Sequence, residues 1–260
     1  MKIKQILTSG SVIFFQKSMM EKYNLNPYKS IHEPALFMGC YNSKDINRIY
    51  RHKSLAVIFW TGADAMRYLQ SPNIADSLRA SHIKHIAQCE YIVRDLDRVG
   101  LKYKRLNIST SNYKRNPVPL GKSVYIYYGG NDAAFKNFYN YPLFIEISNE
   151  LKNIQFISGY RGKFKPIEMP AVYEECFIGL RLTPHDGIPH TVIEMGMMGR
   201  KCVWNEPFPG CYQWKNKQDV KNAILKEHEN IGKTNVELAK QVEKYLDIGT
   251  NWLKESFWND

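Results

Sequence analysis

The chain has 260 residues and no apolar run approaching a membrane span, which excludes a helical membrane protein and leaves room for one large or two small α/β cores. Its charge is uneven: residues 1–118 carry 19 Lys and Arg against 8 Asp and Glu, whereas residues 119–260 carry 17 of each, so the whole net charge of +11 falls in the amino-terminal part. Such a field attracts a polyanion or an anionic surface. Five cysteines (Cys40, Cys89, Cys176, Cys202, Cys211) show no CxxC spacing, so buried thiols in a reducing cytoplasm are expected, with no metal site.

The amino terminus, MKIKQILTSGSVIFF, is broken by the polar Thr8-Ser9-Gly10-Ser11 and reads as a strand over Lys2–Leu7, a turn and a helix, not a signal peptide. Leu55–Trp60 is a buried strand ending in Thr61-Gly62-Ala63-Asp64. Apolar spacing from Ile83 through Val99 predicts a helix over Ser81–Val99, closed by Gly100, with His82 and His85 on one face. It contains the one DxD string, Asp95-Leu96-Asp97, which between Arg94 and Arg98 reads as an exposed helix face. Two prolines and a glycine in Asn112–Ser123 mark a hinge.

Beyond the hinge, Val124–Tyr128 predicts a strand leading to Gly129-Gly130-Asn131. Phe144–Leu151 predicts a helix, Ile154–Ile157 a strand, and Ser158–Gly162 a turn. Cys176–Leu180 is a strand pattern, followed by the loop Pro184-His185-Asp186-Gly187-Ile188-Pro189. A helix from Thr191 stops at Gly199, and Cys202–Trp204 returns to a strand. This order predicts an α/β protein of two doubly wound, Rossmann-like domains, 1–118 and 119–260, facing across a cleft. Where the Cys176–Leu180 strand meets the helix, backbone N–H groups and the positive helix end suit a diphosphate, while Asp186 and Glu194 suit sugar hydroxyls.

Asp186-Gly187-Ile188-Pro189 followed by Glu194, eight positions after the first acid, resembles the donor signature of retaining nucleotide-sugar glycosyltransferases of the GT-B fold. The resemblance implies that Asp186 holds the transferred sugar, Glu194 the ribose, and the backbone of Gly187, Ile188 and Pro189 the sugar and distal phosphate. The family usually has Glu at the first acid, and the shorter Asp bears on the sugar's identity. Trp60-Thr61-Gly62-Ala63-Asp64 resembles the family's amino-domain strand end beside the acceptor. Gly10, Gly130 and Lys136 fall at its donor-side turns, with Arg161 and Arg181 as further cations for the leaving nucleotide. Lys136 reads equally as a solvated lysine. Asp64 reads equally as a helix N-cap or, with His185, as a group orienting the acceptor hydroxyl. The resemblance implies a UDP-glucose-like donor and no metal, the diphosphate being held by fixed cations and N–H groups.

Basic residues interleaved with aromatics, Arg48 and Arg51 around Tyr50, Lys102, Lys104 and Arg105 around Tyr103, and Lys114 and Arg115 after Tyr113, are candidates for holding an anionic acceptor. Size and charge alone invite comparison with phage enzymes that glycosylate hydroxymethylated bases in DNA, which would act in the host cytoplasm. A bacterial surface polysaccharide or lipid-linked glycan is the alternative acceptor. A non-catalytic module of the same fold that binds nucleic acid is the reading from another class, although it has no use for the acid pair.

Overall fold

In the first of the chain's two units, short apolar runs form one parallel sheet of six strands: β1 (Gln5–Thr8), β2 (Asn26–Pro27), β3 (Ala35–Met38), β4 (Ala56–Phe59), β5 (Ile83–Ala87) and β6 (Lys104–Arg105). Their order is β2-β1-β3-β4-β5-β6. Every neighbouring pair is parallel, so right-handed crossovers carry the chain back through helices. Those helices are α1 (Gln16–Tyr23), α2 (Ser43–Arg51), α3 (Ala63–Tyr68), α4 (Pro72–Ser77) and α5 (Glu90–Arg98). The computed structural model describes residues 2–110, 115–160 and 162–259.

The second unit has its own parallel sheet, of β7 (Ser123–Tyr127), β8 (Gln155–Gly159), β9 (Cys176–Leu180), β10 (Lys201–Val203) and β11 (Cys211–Tyr212), ordered β11-β10-β9-β7-β8. Helices α6 (Ala133–Phe138), α7 (Tyr141–Glu150), α8 (Met169–Glu174), α9 (His190–Met197), α10 (Lys217–His228) and α11 (Val236–Leu246) accompany it. The units comprise Met1–Asn112, His185–Ile188 and Leu246–Asp260 for the first, and Tyr113–Pro184 and Pro189–Tyr245 for the second. The division therefore differs from one cut after residue 118. The carboxyl-terminal segment belongs to the first unit because Trp252, Leu253 and Trp258 complete its core beside Ile6, Leu36 and Val57. Trp258 Nε1–H donates to the Trp252 carbonyl at 2.8 Å.

The helix expected over Ser81–Val99 is two elements: Ile83–Ala87 is strand β5, and only Glu90–Arg98 is helical. The apolar residues before Cys89 are buried because β5 lies inside the sheet between β4 and β6, so burial on both faces mimicked a helical period. His82 and His85 therefore share no helical face. His85 Nδ1 accepts from Trp60 Nε1–H at 3.3 Å, and its Nε2–H donates to the Leu78 carbonyl at 3.1 Å. Burial pushes the imidazole from 6.5 down to about 4.

That shift gives a stability prediction. The unfolded chain binds a proton near pH 6.5 that folded His85 refuses until about pH 4, so stability is full above pH 6.5 and falls as pH drops towards 4. Up to about 3 kcal/mol should be lost across this window. His85→Gln should flatten that part of the profile in urea unfolding. An unchanged acid slope would mean that His85 titrates normally.

All five cysteines are free thiols. Among the described residues no helix is long and apolar enough to cross a membrane.

Candidate functional site

The carboxyl ends of β7 and β9 lie on one edge of the second unit's parallel sheet, the edge where ligands bind in this architecture. Tyr127 ends β7, and Arg181 follows β9. The Arg181 guanidinium is packed against two aromatic faces, 5.0 Å from the Tyr127 ring centre and 4.7 Å from that of Tyr139. The tyrosine faces hold the cation in place. Burial, with the neighbouring Arg181 charge, pushes the His190 imidazole well below its usual range, so it adds no positive charge at neutral pH.

Helix α9 starts at His190, with Pro189 as its N-cap, a residue that makes no side-chain cap hydrogen bond. Proline fixes the entry angle and leaves the positive helix end to other partners. One turn in, Glu194 is 5% exposed, and its Oε1 lies 3.3 Å from Arg115 Nη2. Burial pushes the carboxyl pKa up, while Arg115 and the Tyr173 hydroxyl oppose the shift. A carboxylate so placed accepts hydroxyl donors with little competition from water.

Arg115 corrects an expectation. Expected among the acceptor-binding tracts, it lies in the second unit on the donor-type carboxylate, because the hinge backbone runs along this unit, Val118 N–H reaching the Met198 carbonyl. Its partner Lys114 and the expected donor residue Arg161 lie outside the described residues. Lys136 is not in the glycine turn. It sits in the last turn of α6, half-buried, with its ammonium 5.4 Å from the Tyr141 ring centre. Gly130 stays beside the end of β7, its N–H turned back to the Tyr128 carbonyl. Arg181, Gly130, Glu194 and Pro189 therefore belong to one edge of one sheet and the helix that follows it.

His185, Asp186, Gly187 and Ile188 belong to the first unit. Gly187 is wedged against the Thr61 carbonyl, and a Cβ there would also stand 2.8 Å from Gln88 Nε2. Gly62 faces it at φ +125°, where its own Cβ would be 2.5 Å from Gly187 N. Both positions need glycine, one for space and the other also for its backbone angle. Cys89 Sγ–H donates to the Asp186 carbonyl at 3.2 Å. Gly187→Ala is expected to cost about 1–3 kcal/mol, because backbone atoms cannot rotate aside. Urea unfolding within a few tenths of wild type would show that the loop has room to move.

His185 Nε2 is 2.9 Å from Asp95 Oδ2, and its ring lies 5.0 Å from that of Tyr91. Asp95 also meets Arg98 at 3.2 Å. The expected exposed face of Asp95-Leu96-Asp97 is thus half wrong: Asp95 is buried and holds His185, and only Asp97 faces solvent. Among the described residues, no three or more His, Cys, Asp or Glu side chains gather in a way that could hold a metal ion.

Asp64 is fully buried and accepts the N–H groups of Cys40 at 3.0 Å and Thr61 at 3.0 Å. Burial pushes its pKa up against those bonds. Gly62, not Asp64, is the N-cap of α3. Asp64 fixes the turns after β3 and β4 and does not face an acceptor. Asp45 has a similar framework role that the sequence reading missed: it takes the Ser9 hydroxyl at 2.6 Å and the Tyr41 N–H at 3.1 Å. Gly10 is exposed, and a Cβ there would meet open space, so nothing around it requires glycine.

The expected acceptor-binding cations are not gathered at the carboxyl edge of the first sheet. Arg51 ends α2 just before β4, and Lys102 just precedes β6, so both lie towards the amino ends of parallel strands. Arg48 is exposed on α2, Lys104 stands 4.5 Å over the Phe257 ring, and Arg105 is paired with Glu90. Side-chain chemistry was readable from sequence here, but the edge of the sheet was not.

No family model matches the chain, and no characterised protein matches it in sequence. Solved structures do match. A TarM structure aligns at TM-score 0.57 with 12% identity over 87% of this chain and 55% of that one. Sucrose-phosphate synthase from Thermosynechococcus elongatus aligns at 0.55 with 11% identity, over 90% and 73%. A variant of S. aureus TarM in complex with fondaparinux, alpha-GlcNAc-glycerol and UDP aligns at 0.55 with 11% identity, over 87% and 55%. The chain spans about half the length of TarM. At these identities the likeness is one of fold, and that fold, an α/β chain with two parallel-sheet Rossmann-like units, is the GT-B fold of glycosyltransferases.

Proposed function

We propose that the chain is a retaining glycosyltransferase that moves a sugar from a nucleotide sugar to a hydroxyl acceptor. The observation that carries this is the second unit's carboxyl edge. It combines Arg181 held between two tyrosines, the amino end of α9 behind Pro189, and the buried Glu194–Arg115 pair. Arg181 and the helix end take the leaving diphosphate, and Glu194 takes the ribose hydroxyls. The UDP present in the TarM variant complex supports a uridine diphosphate donor.

A glycan acceptor of the bacterial surface fits best, because among the described residues Arg105 is the one expected cation at a carboxyl strand end of the first sheet, where it is paired with Glu90, and a TarM variant structure holds alpha-GlcNAc-glycerol. Hydroxymethylated DNA is the second reading, favoured by the excess positive charge of residues 1–118. Thermal melting with a panel of nucleotide sugars tests the donor, since only a ligand of the folded state raises the midpoint. Labelled-sugar transfer to glycan or to modified DNA then decides the acceptor. Transfer to neither, with no donor shifting the melt, would leave a non-catalytic module.

Transfer should persist in excess EDTA, because the diphosphate is balanced by Arg181 and backbone N–H groups. Loss on chelation, restored by manganese or magnesium, would overturn the metal-free account.

A further inference from the structure

The first unit has a second concave site, at the edge of its sheet opposite the carboxyl ends. A pocket of ≈ 350 Å³ opens where the chain enters β5 and β6. Its floor is apolar, from the buried Leu78, Ile83 and Leu101, and its rim carries Lys84, Lys102 and Tyr103. Among the described residues neither ammonium meets a carboxylate.

The other basic groups around the pocket are already committed. Arg79 donates to the Gly100 carbonyl at 2.8 Å, to the Val99 carbonyl and to Asp76 at 3.1 Å, which braces the wall. Lys104 stands over the Phe257 ring, and both nitrogens of His85 are taken. Two ammonium groups on one rim with no carboxylate partner leave positive charge that an anion bound there neutralises. An apolar floor beneath them suits the organic part of the same ligand.

We propose that this pocket binds a phosphate ester, with the phosphate between Lys84 and Lys102 and its organic group against Tyr103 and the apolar floor. Lysine ammonium groups recognise phosphate as point charges, without the planar fork that favours carboxylate. A floored pocket takes a terminal or small ester and not the continuous backbone of a duplex. The site is separate from the donor edge and does not depend on the transferase reading.

The test is an amide NMR titration of the full chain with inorganic phosphate and glycerol phosphate at constant ionic strength. Saturable shifts confined to Ile83–His85 and Leu101–Lys104 are expected. The double variant Lys84→Gln, Lys102→Gln should weaken binding about tenfold or more while melting like the parent. Sedimentation with phosphatidylglycerol or phosphatidylcholine vesicles then identifies the source. Binding to the anionic vesicles that glycerol phosphate displaces marks a lipid headgroup, and ester binding without vesicle binding marks a soluble ester. Shifts that fail to saturate, that spread over every lysine-bearing surface, or that persist in the double variant would overturn the proposal.

Discussion

Replacing Glu194 with alanine is expected to abolish transfer and to weaken the nucleotide sugar by about 1.5–3 kcal/mol, roughly 10- to 100-fold, the range for hydrogen bonds to a charged group. The carboxylate is buried, so water would not replace the ribose bonds proposed for it. Its state depends on Arg115. Burial favours the protonated acid, and the guanidinium at 3.3 Å opposes that. Donor affinity should therefore fall as pH drops through the raised carboxyl pKa. In Arg115→Met the fall should come at higher pH, because the opposing charge is gone. Calorimetric titration with UDP across pH reads both effects. Unchanged affinity in Glu194→Ala, with the variant folded, would remove Glu194 from the donor site.

Arg200→Met is expected to destabilise the second unit by on the order of 3–5 kcal/mol, near the whole stability of a small domain. Arg200 is fully buried, and its guanidinium donates to six carbonyls: Tyr173, Glu174, Cys176, Val118, Pro119 and Met198, at 2.5–3.3 Å. It joins the hinge backbone, the end of α8 and the end of α9. Methionine fills similar space but supplies no donor to any of them; the Tyr173, Cys176 and Met198 carbonyls keep a backbone N–H, and those of Val118, Pro119 and Glu174 lose the guanidinium they accept from. Lysine should rescue little, since a single ammonium cannot reach a planar array of acceptors. Chemical unfolding within about 1 kcal/mol of the parent, the smallest loss consistent with one buried orphan carbonyl, would show that water takes over the array.

The strand, turn and helix around Asp186 and Glu194 were largely legible in the sequence. Cys176–Leu180, the turn at Pro184–Pro189 and the helix ending before Gly199 carry strong local signals: a continuous apolar run, paired prolines and a glycine at φ +84°. The stretch before Cys89 was not legible. A strand buried on both faces has no alternation, and its apolar spacing merged with that of α5. Strand β3 offers a run of only four residues, too short to carry a period, although all four are buried. Long-range partners left no local mark at all. Nothing near Asp95 announces His185, nothing near Arg115 announces Glu194, and the chain's return through Trp252 and Trp258 depends on a cavity that the first unit leaves unfilled. Charge counting found the basic half but not which edge of the sheet carries the charge.

The central claim is that a nucleotide sugar binds at the carboxyl edge of the second unit's sheet. Amide hydrogen exchange with and without UDP localises it directly. The account predicts slowed exchange in Tyr127–Gly130, at Arg181 and in the first turns of α9 through Glu194, and loss of that protection in Glu194→Ala. Saturating UDP that leaves those amides unchanged, or that protects only residues of the first unit, would contradict it.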